Sequence, residues 1–348
     1  MSIVILAIVI LQGLVLLTLM LLLFQHIFLR YWSRYLESRK HYFEQHVLGL
    51  LEDPERITVL ERGPRPFDRR VIEELLLQQA TELKGQQRYH MTRAFERLEY
   101  VSFEKKRLRS WAWWHRREAA IKLGIMRSES TVPDLIRAVK DNSEVVRLAA
   151  VRALGETNHP EGIKVLLDVM QNTESWTGDR VLEVVANIGH LIKEEVLSRL
   201  RTTMKARARL LLVQLCGIMR WTEAVALLIP LLNDPDVETR VSTAEALGNI
   251  GDETAASYLV PTLQDPRWEV RAQAAKSLGL LQDKEALMAL TYSLSDESWW
   301  VRYNAANSLY QLGNEGLYAL RSVRGRRDGV ASGMAAQVLA ERELGLKP

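Results

Sequence analysis

The chain opens on an apolar run, Ile3 to Phe24, broken only by Gln12, Gly13 and Thr18. At about 1.5 Å per residue this run predicts a helix that spans a hydrocarbon core of roughly 30 Å. Further along, the pattern changes to short apolar stripes at i, i+4 and i+8. Val146, Ala150 and Leu154 form one, Val270, Ala274 and Leu278 another, and Val301, Ala305 and Leu309 a third. This spacing predicts short amphipathic helices. Lesser apolar runs, Ala224 to Leu232 and Ala255 to Leu263, lie between them, and Gly251 and Asp252 supply a stop and a start. No run alternates with a β period, so the expected fold is all-α.

The helices recur on a grid. Arg116, Arg147, Arg209, Arg240, Arg271 and Arg302 fall on steps of 31 residues, or twice that between Arg147 and Arg209. Gly124, Gly155, Gly217, Gly248 and Gly279 follow eight residues behind. Two residue types locked to one period mark a repeated structural unit. Asp141, Asp234, Asp265 and Asp296 precede the grid arginines by six residues. Asp234 and Asp265 read as helix N-caps, with Pro235 and Pro266 at the first helical position. The grid breaks near Trp176, where Gly178 takes the arginine position and Arg180 is displaced.

The Asp, the Arg six residues later, the Ala-Ala step and the closing Leu-Gly resemble the short HEAT-like repeat of the phycobilisome-lyase type. The likeness is strong over residues 133–155 and 223–313. It implies a right-handed α-solenoid of about seven to eight helical hairpins, whose units touch only their neighbours. It also implies that Asp141, Arg147, Asp234, Arg240, Asp265, Arg271, Asp296 and Arg302 form a structural ladder between units. The expected layout is a membrane anchor over 1–28, a juxtamembrane helix and linker over 29–68, and a solenoid over 69–346, with 69–100 as a degenerate first pair. The linker reading rests on Pro54, Gly63, Pro64 and Pro66.

Flanking charge sets an expected topology. No Lys or Arg precedes the apolar run, while Arg30, Arg34, Arg39 and Lys40 follow it. The run is too long for a cleaved signal and lacks a small-residue cleavage site. The positive-inside rule then puts the N-terminus outside and the solenoid in the cytoplasm of a single-pass inner-membrane protein. Phe28, Tyr31, Trp32 and Tyr35 suit the interfacial aromatic belt. The lone Cys216 falls on a position usually held by Leu and has no partner for an intrachain disulfide.

Net charge is +3, but its distribution is uneven. Residues 101–220 carry 21 Lys/Arg against 14 Asp/Glu, and residues 233–298 carry 5 against 12. No phosphate-binding loop, nucleophile elbow or metal-ligand spacing appears, so the expectation is no enzyme and no cofactor. Two sets break the repeat. Trp113, Trp268 and Trp299 share one position, three residues before the grid arginine, with Trp111, Trp114 and Trp300 beside them. Tryptophan is favoured at binding hot spots, which makes Trp113, Trp114, Trp268, Trp299 and Trp300 candidate partner contacts. Lys105, Lys106, Arg107 and Arg109, and the later cluster Arg321, Arg324, Arg326 and Arg327, are candidates to face lipid or a partner. The expected function is a membrane-anchored scaffold that recruits another, membrane-associated protein, with lipid contacted through the N-terminal helix. An envelope-polysaccharide enzyme complex is one candidate partner. A bilin lyase or a HEAT-like nucleic-acid binder is the alternative, and the anchor argues against both.

Overall fold

A computed structural model describes residues 2–52, 57–61, 68–172, 177–202, 205–325 and 329–345. Among them every regular element is helical. The chain forms two compact units, residues 1–157 and 158–348, each a stretch of α-solenoid.

The first unit begins with α1 (Ser2–Glu52), which continues without a break past the apolar run. By length and composition α1 could cross a membrane. Its side chains from Leu16 to Leu23 stand exposed, whereas Phe43, Val47 and Leu50 are buried. The short α2 (Ile57–Glu61) follows, then the pair α3 (Asp68–Glu82) and α4 (Gly85–Arg97). α1 packs on α3 and α4, so its distal half belongs to the folded unit. Within the stretch expected as a linker, Ile57 and Leu60 are buried. The turn residues Pro54, Gly63, Pro64 and Pro66 lie outside the described residues. Two hairpins complete the unit, α5 (Tyr100–Arg107) with α6 (Trp113–Met126), and α7 (Val132–Ala138) with α8 (Glu144–Thr157).

The second unit starts with α9 (Pro160–Asn172), α10 (Thr177–Ile188), α11 (Lys193–Thr202) and α12 (Ala206–Met219). Trp176, where the grid breaks, lies outside the described residues. Next come α13 (Val225–Leu228), α14 (Val237–Ile250), α15 (Ala256–Thr262) and α16 (Trp268–Leu281). The unit ends with α17 (Leu287–Ser293), α18 (Trp299–Gln311), α19 (Asn314–Arg324) and α20 (Gly329–Glu343). Three first helices, α13, α15 and α17, are short and each follows a 3-10 turn, as at Glu253–Ala255 before α15. Between Ile229 and Asn233 the helix tightens to 3-10, where Pro230 cannot donate a backbone bond.

Grid glycines let the second helices approach closely. α12 packs on α14, and a Cβ on Gly217 would stand 2.7 Å from the Ala246 Cα. α14 packs on α16, and a Cβ on Gly248 would stand 2.6 Å from the Ser277 Cβ. The buried stripe is the one the spacing predicts: Val270, Ala274 and Leu278 are fully buried, as are Val301, Ala305 and Leu309.

Candidate functional site

The recurring Asp and Arg meet across hairpins. Arg116 donates through Nε and Nη2 to both Asp141 carboxylate oxygens, at 2.7 and 2.8 Å. Arg240 does the same to Asp265, at 2.8 and 3.0 Å, and Arg271 to Asp296, at 2.8 and 2.9 Å. Arg209 pairs with Asp234. Each bond spans 25 residues, so it joins one hairpin to the next. The third guanidinium nitrogen turns back on its own hairpin: Arg240 Nη1 donates to the Asp234 carbonyl, and Arg271 Nη1 to the Asp265 carbonyl. Arg147 and Arg302 make the same back-bonds to the Asp141 and Asp296 carbonyls. Bidentate charged bonds of this kind are short and directional. The Arg116 bond holds the Asp141 carboxyl below its usual range.

The N-cap expectation for Asp234 and Asp265 is corrected. Their Oδ1 accepts the amide two residues on, from Asp236 and Arg267, and the carboxylates are committed to arginines. The helices start later, with Asp236 capping α14 through the Thr239 amide and Arg267 preceding α16. Pro235 and Pro266 therefore sit inside an Asx-turn that precedes the helix.

Two aromatic patches stand out from this frame. In the first unit Trp111, Trp113 and Trp114 sit at the turn between α5 and α6, and Trp111 is 87% exposed. Trp114 meets Trp111 and Trp113 edge-to-face, with centroids 5.7 and 5.9 Å apart. In the second unit Trp299 opens α18, lies edge-to-face with Trp300 at 4.9 Å and stacks on Tyr303 at 4.8 Å. Trp268 takes the matching place on α16 and is also exposed, with no ring contact to Trp299 among the described residues. Glu269 and Glu297 flank these rings, and Glu297 is largely exposed while reaching Arg271.

The basic candidates divide. Lys105 bonds Asp134 and the Ser130 carbonyl. Arg107 is turned inward onto Glu104 and Glu118. Lys106 is exposed, and Arg109 is exposed while touching Asp134. Arg321 and Arg324 are exposed on α19. Arg326 and Arg327 lie outside the described residues.

Sequence reading missed two features. The first is a buried ionic cluster. Lys122 Nζ lies 2.9 Å from Glu73 and 3.0 Å from Glu104, and Arg107 bonds Glu104 at 2.9 Å. Glu104 is fully buried. Burial pushes the Glu73 carboxyl up, an effect the Lys122 bond only partly offsets. Burial would lower Lys122, but its bonds to Glu73 and Glu104 hold it above its ordinary range. A cleft of about 530 Å³ opens beside the cluster, walled by Arg69, Arg70, Tyr100 and Phe103. Its members come from three helices, so no local spacing reveals them. The second feature is a strip of exposed apolar residues, Tyr258, Met288, Tyr292 and Tyr318, on α15, α17 and α19. They sit off the buried stripe of Leu259, Leu290 and Leu320, which a face-by-face reading would have shown. Among the described residues no His, Cys, Asp and Glu group could hold a metal ion. Burial pushes the Cys216 thiol up to about 12.

No curated protein matches the sequence. Among solved structures, human deoxyhypusine hydroxylase in complex with glycerol is similar at 20% identity, over 78% of this chain and 96% of that one, with a TM-score of 0.31. The CpcE–CpcF complex of phycocyanin lyase from Nostoc sp. PCC7120 is similar at 21% identity, over 71% and 89%, with a TM-score of 0.28. Kap95p, from a structure with RanGDP, is similar at 14% identity, over 77% and 46%, with a TM-score of 0.47. Their reported activities carry nothing over to this chain at such identity. The sequence itself matches HEAT repeats over residues 104–185, 194–268 and 258–340, the stretches in which the arginine ladder and the close-packed glycines recur. On that match, which covers well over half of its length, the chain belongs to the HEAT-repeat family.

Proposed function

We propose that this protein is a membrane-anchored scaffold whose second unit binds another protein along the edge marked by Trp268, Trp299 and Trp300. One observation carries the reading: large aromatic side chains stand exposed at a fixed position of a rigid repeat. Trp299 and Trp300 are 40% and 54% exposed, yet their rings are ordered against each other and against Tyr303. Pre-ordered tryptophans lose little freedom on binding and are characteristic anchors of interfaces. The surrounding acidic excess favours a partner with a basic rim around an apolar centre. The anchor is α1, with the basic flank from Arg30 to Lys40 at the cytoplasmic face. The partner is then a protein of the same membrane or its cytoplasmic surface.

The test is proximity labelling of the full chain in its native membrane, compared with Trp299→Ala and Trp300→Ala. Truncating a hot-spot tryptophan costs about 2 kcal/mol or more, roughly thirtyfold in affinity, so the labelled set should collapse in both variants. Their melting curves should match the parent. Unchanged labelling with earlier melting would mean that these rings only pack.

A further inference from the structure

The two tryptophan patches occupy the same repeat position but different electrostatic surroundings, and in the first unit the helix register decides what the patch faces. α3 runs antiparallel to α1. Arg39 holds Asp68 at the start of α3, and further back Leu36 and Ser33 share a cleft of about 680 Å³ with Val71 and Leu75. By this register Glu82, at the end of α3, lies level with α1 near Gln25, the end of the apolar run. α5 runs parallel to α3: Tyr100 bonds the Arg69 carbonyl, and Glu104 and Glu73 share Lys122. α6 returns antiparallel to α5, since Lys122 meets Glu104 while Glu118 meets Arg107. The turn between α5 and α6 therefore points back toward the apolar half of α1. From Tyr100 to Arg107, α5 advances about 10 Å, which brings this turn level with Tyr31 of α1, in the interfacial aromatic stretch Phe28 to Tyr35.

Resting on the reading that α1 spans a membrane, we propose that Trp111, Trp113 and Trp114 seat in the headgroup–acyl boundary of that same bilayer, with Lys106, Arg109 and Arg117 on anionic lipid headgroups. Tryptophan concentrates at this boundary because its ring is apolar while its N–H seeks water. Trp111, at 87%, is the most exposed aromatic side chain among the described residues. Its charge fits the same ligand. Lys106 and Arg117 are exposed, and Asp134 is shared by Lys105, Arg109 and Arg137, so that corner keeps excess positive charge. Cations beside a cytoplasmic leaflet are attracted to its anionic lipids. The second unit's patch has the exposed Glu297 beside it, which such a surface would repel. One repeat position thus serves lipid in the first unit and protein in the second.

The test uses the full chain, with Trp32→Phe to silence the tryptophan of α1, reconstituted into vesicles of phosphatidylcholine alone or mixed with phosphatidylglycerol, each with and without brominated acyl chains. Tryptophan at the boundary is quenched by bromine. Replacing Trp111, Trp113 and Trp114 with Phe should remove most of the quenching, while replacing Trp268, Trp299 and Trp300 should leave it. Replacing Lys106, Arg109 and Arg117 with Gln should weaken it only where phosphatidylglycerol is present. A chain that floats with the vesicles but keeps its quenching in the first variant overturns this proposal and spares the anchor. A chain that does not float with vesicles overturns both.

Discussion

At the scale of single residues, the ladder explains why Asp and Arg recur. Arg116, Arg240 and Arg271 each spend three nitrogens on two hairpins, so removing the facing Asp leaves a half-buried guanidinium without its counter-charge. Asp141 is the clearest case, since its carboxyl is held low first by the Arg116 bond, with burial opposing. A depressed carboxyl contributes stability that is present above its unfolded pKa and is lost as pH falls through the folded one. Asp141→Asn should therefore cost about 1–3 kcal/mol at neutral pH. It should also flatten the loss of stability on acidification below about pH 4, the ordinary carboxylate range. Denaturant melts at stepped pH check both. An unchanged acid limb would show that Asp141 contributes no linked stability.

Much of this residue-level pattern was legible in the sequence, because a bond that recurs from hairpin to hairpin leaves a period of 31. The start of the helices was not. Asp followed by Pro reads equally as an N-cap or as an Asx-turn, and only the arginine 25 residues away takes the carboxylate from the helix. The buried cluster of Lys122, Glu73 and Glu104 was also illegible: it joins positions 49 and 18 residues apart, on no grid.

At the scale of elements, the grid glycines test whether close packing or helix propensity governs. Gly to Ala inside a helix ordinarily gains up to about 1 kcal/mol. At Gly217 the added Cβ would stand 2.7 Å from the backbone of α14, which must then move. Forcing a methyl into a packed contact costs about 1–3 kcal/mol, so packing should win and Gly217→Ala should melt earlier. Gly333 is the control, because on α20 a Cβ meets nothing within 4 Å. Gly333→Ala should melt at the same temperature or later. Two variants with equal and opposite shifts would locate the reason for the glycine period in helix contact; two stabilised variants would remove it.

At the scale of the whole molecule, the proposed anchor rests on α1, which is long and apolar enough to cross a membrane. Leu16, Leu17, Leu19, Met20, Leu21, Leu22, Leu23 and Phe24 are each more than half exposed. Fully burying one such side chain is worth about 1.5–3 kcal/mol, so eight on one helix favour burial, which the proposed anchor would supply. The distal half of the same helix is packed into the first unit through Phe43, Val47 and Leu50. A hydrophobic segment joined rigidly to a folded unit should be retained by a bilayer. Arg30, Arg34, Arg39 and Lys40 lie on one side of it only, and each basic residue resists translocation. The expected topology is N-terminus outside and solenoid units inside. A C-terminal green fluorescent fusion should glow, and a C-terminal alkaline phosphatase fusion should be inactive. The reverse pair would overturn the orientation while leaving the anchor in place. The chain should also stay in the pellet after an alkaline carbonate wash, and release of the intact protein would overturn the anchor itself.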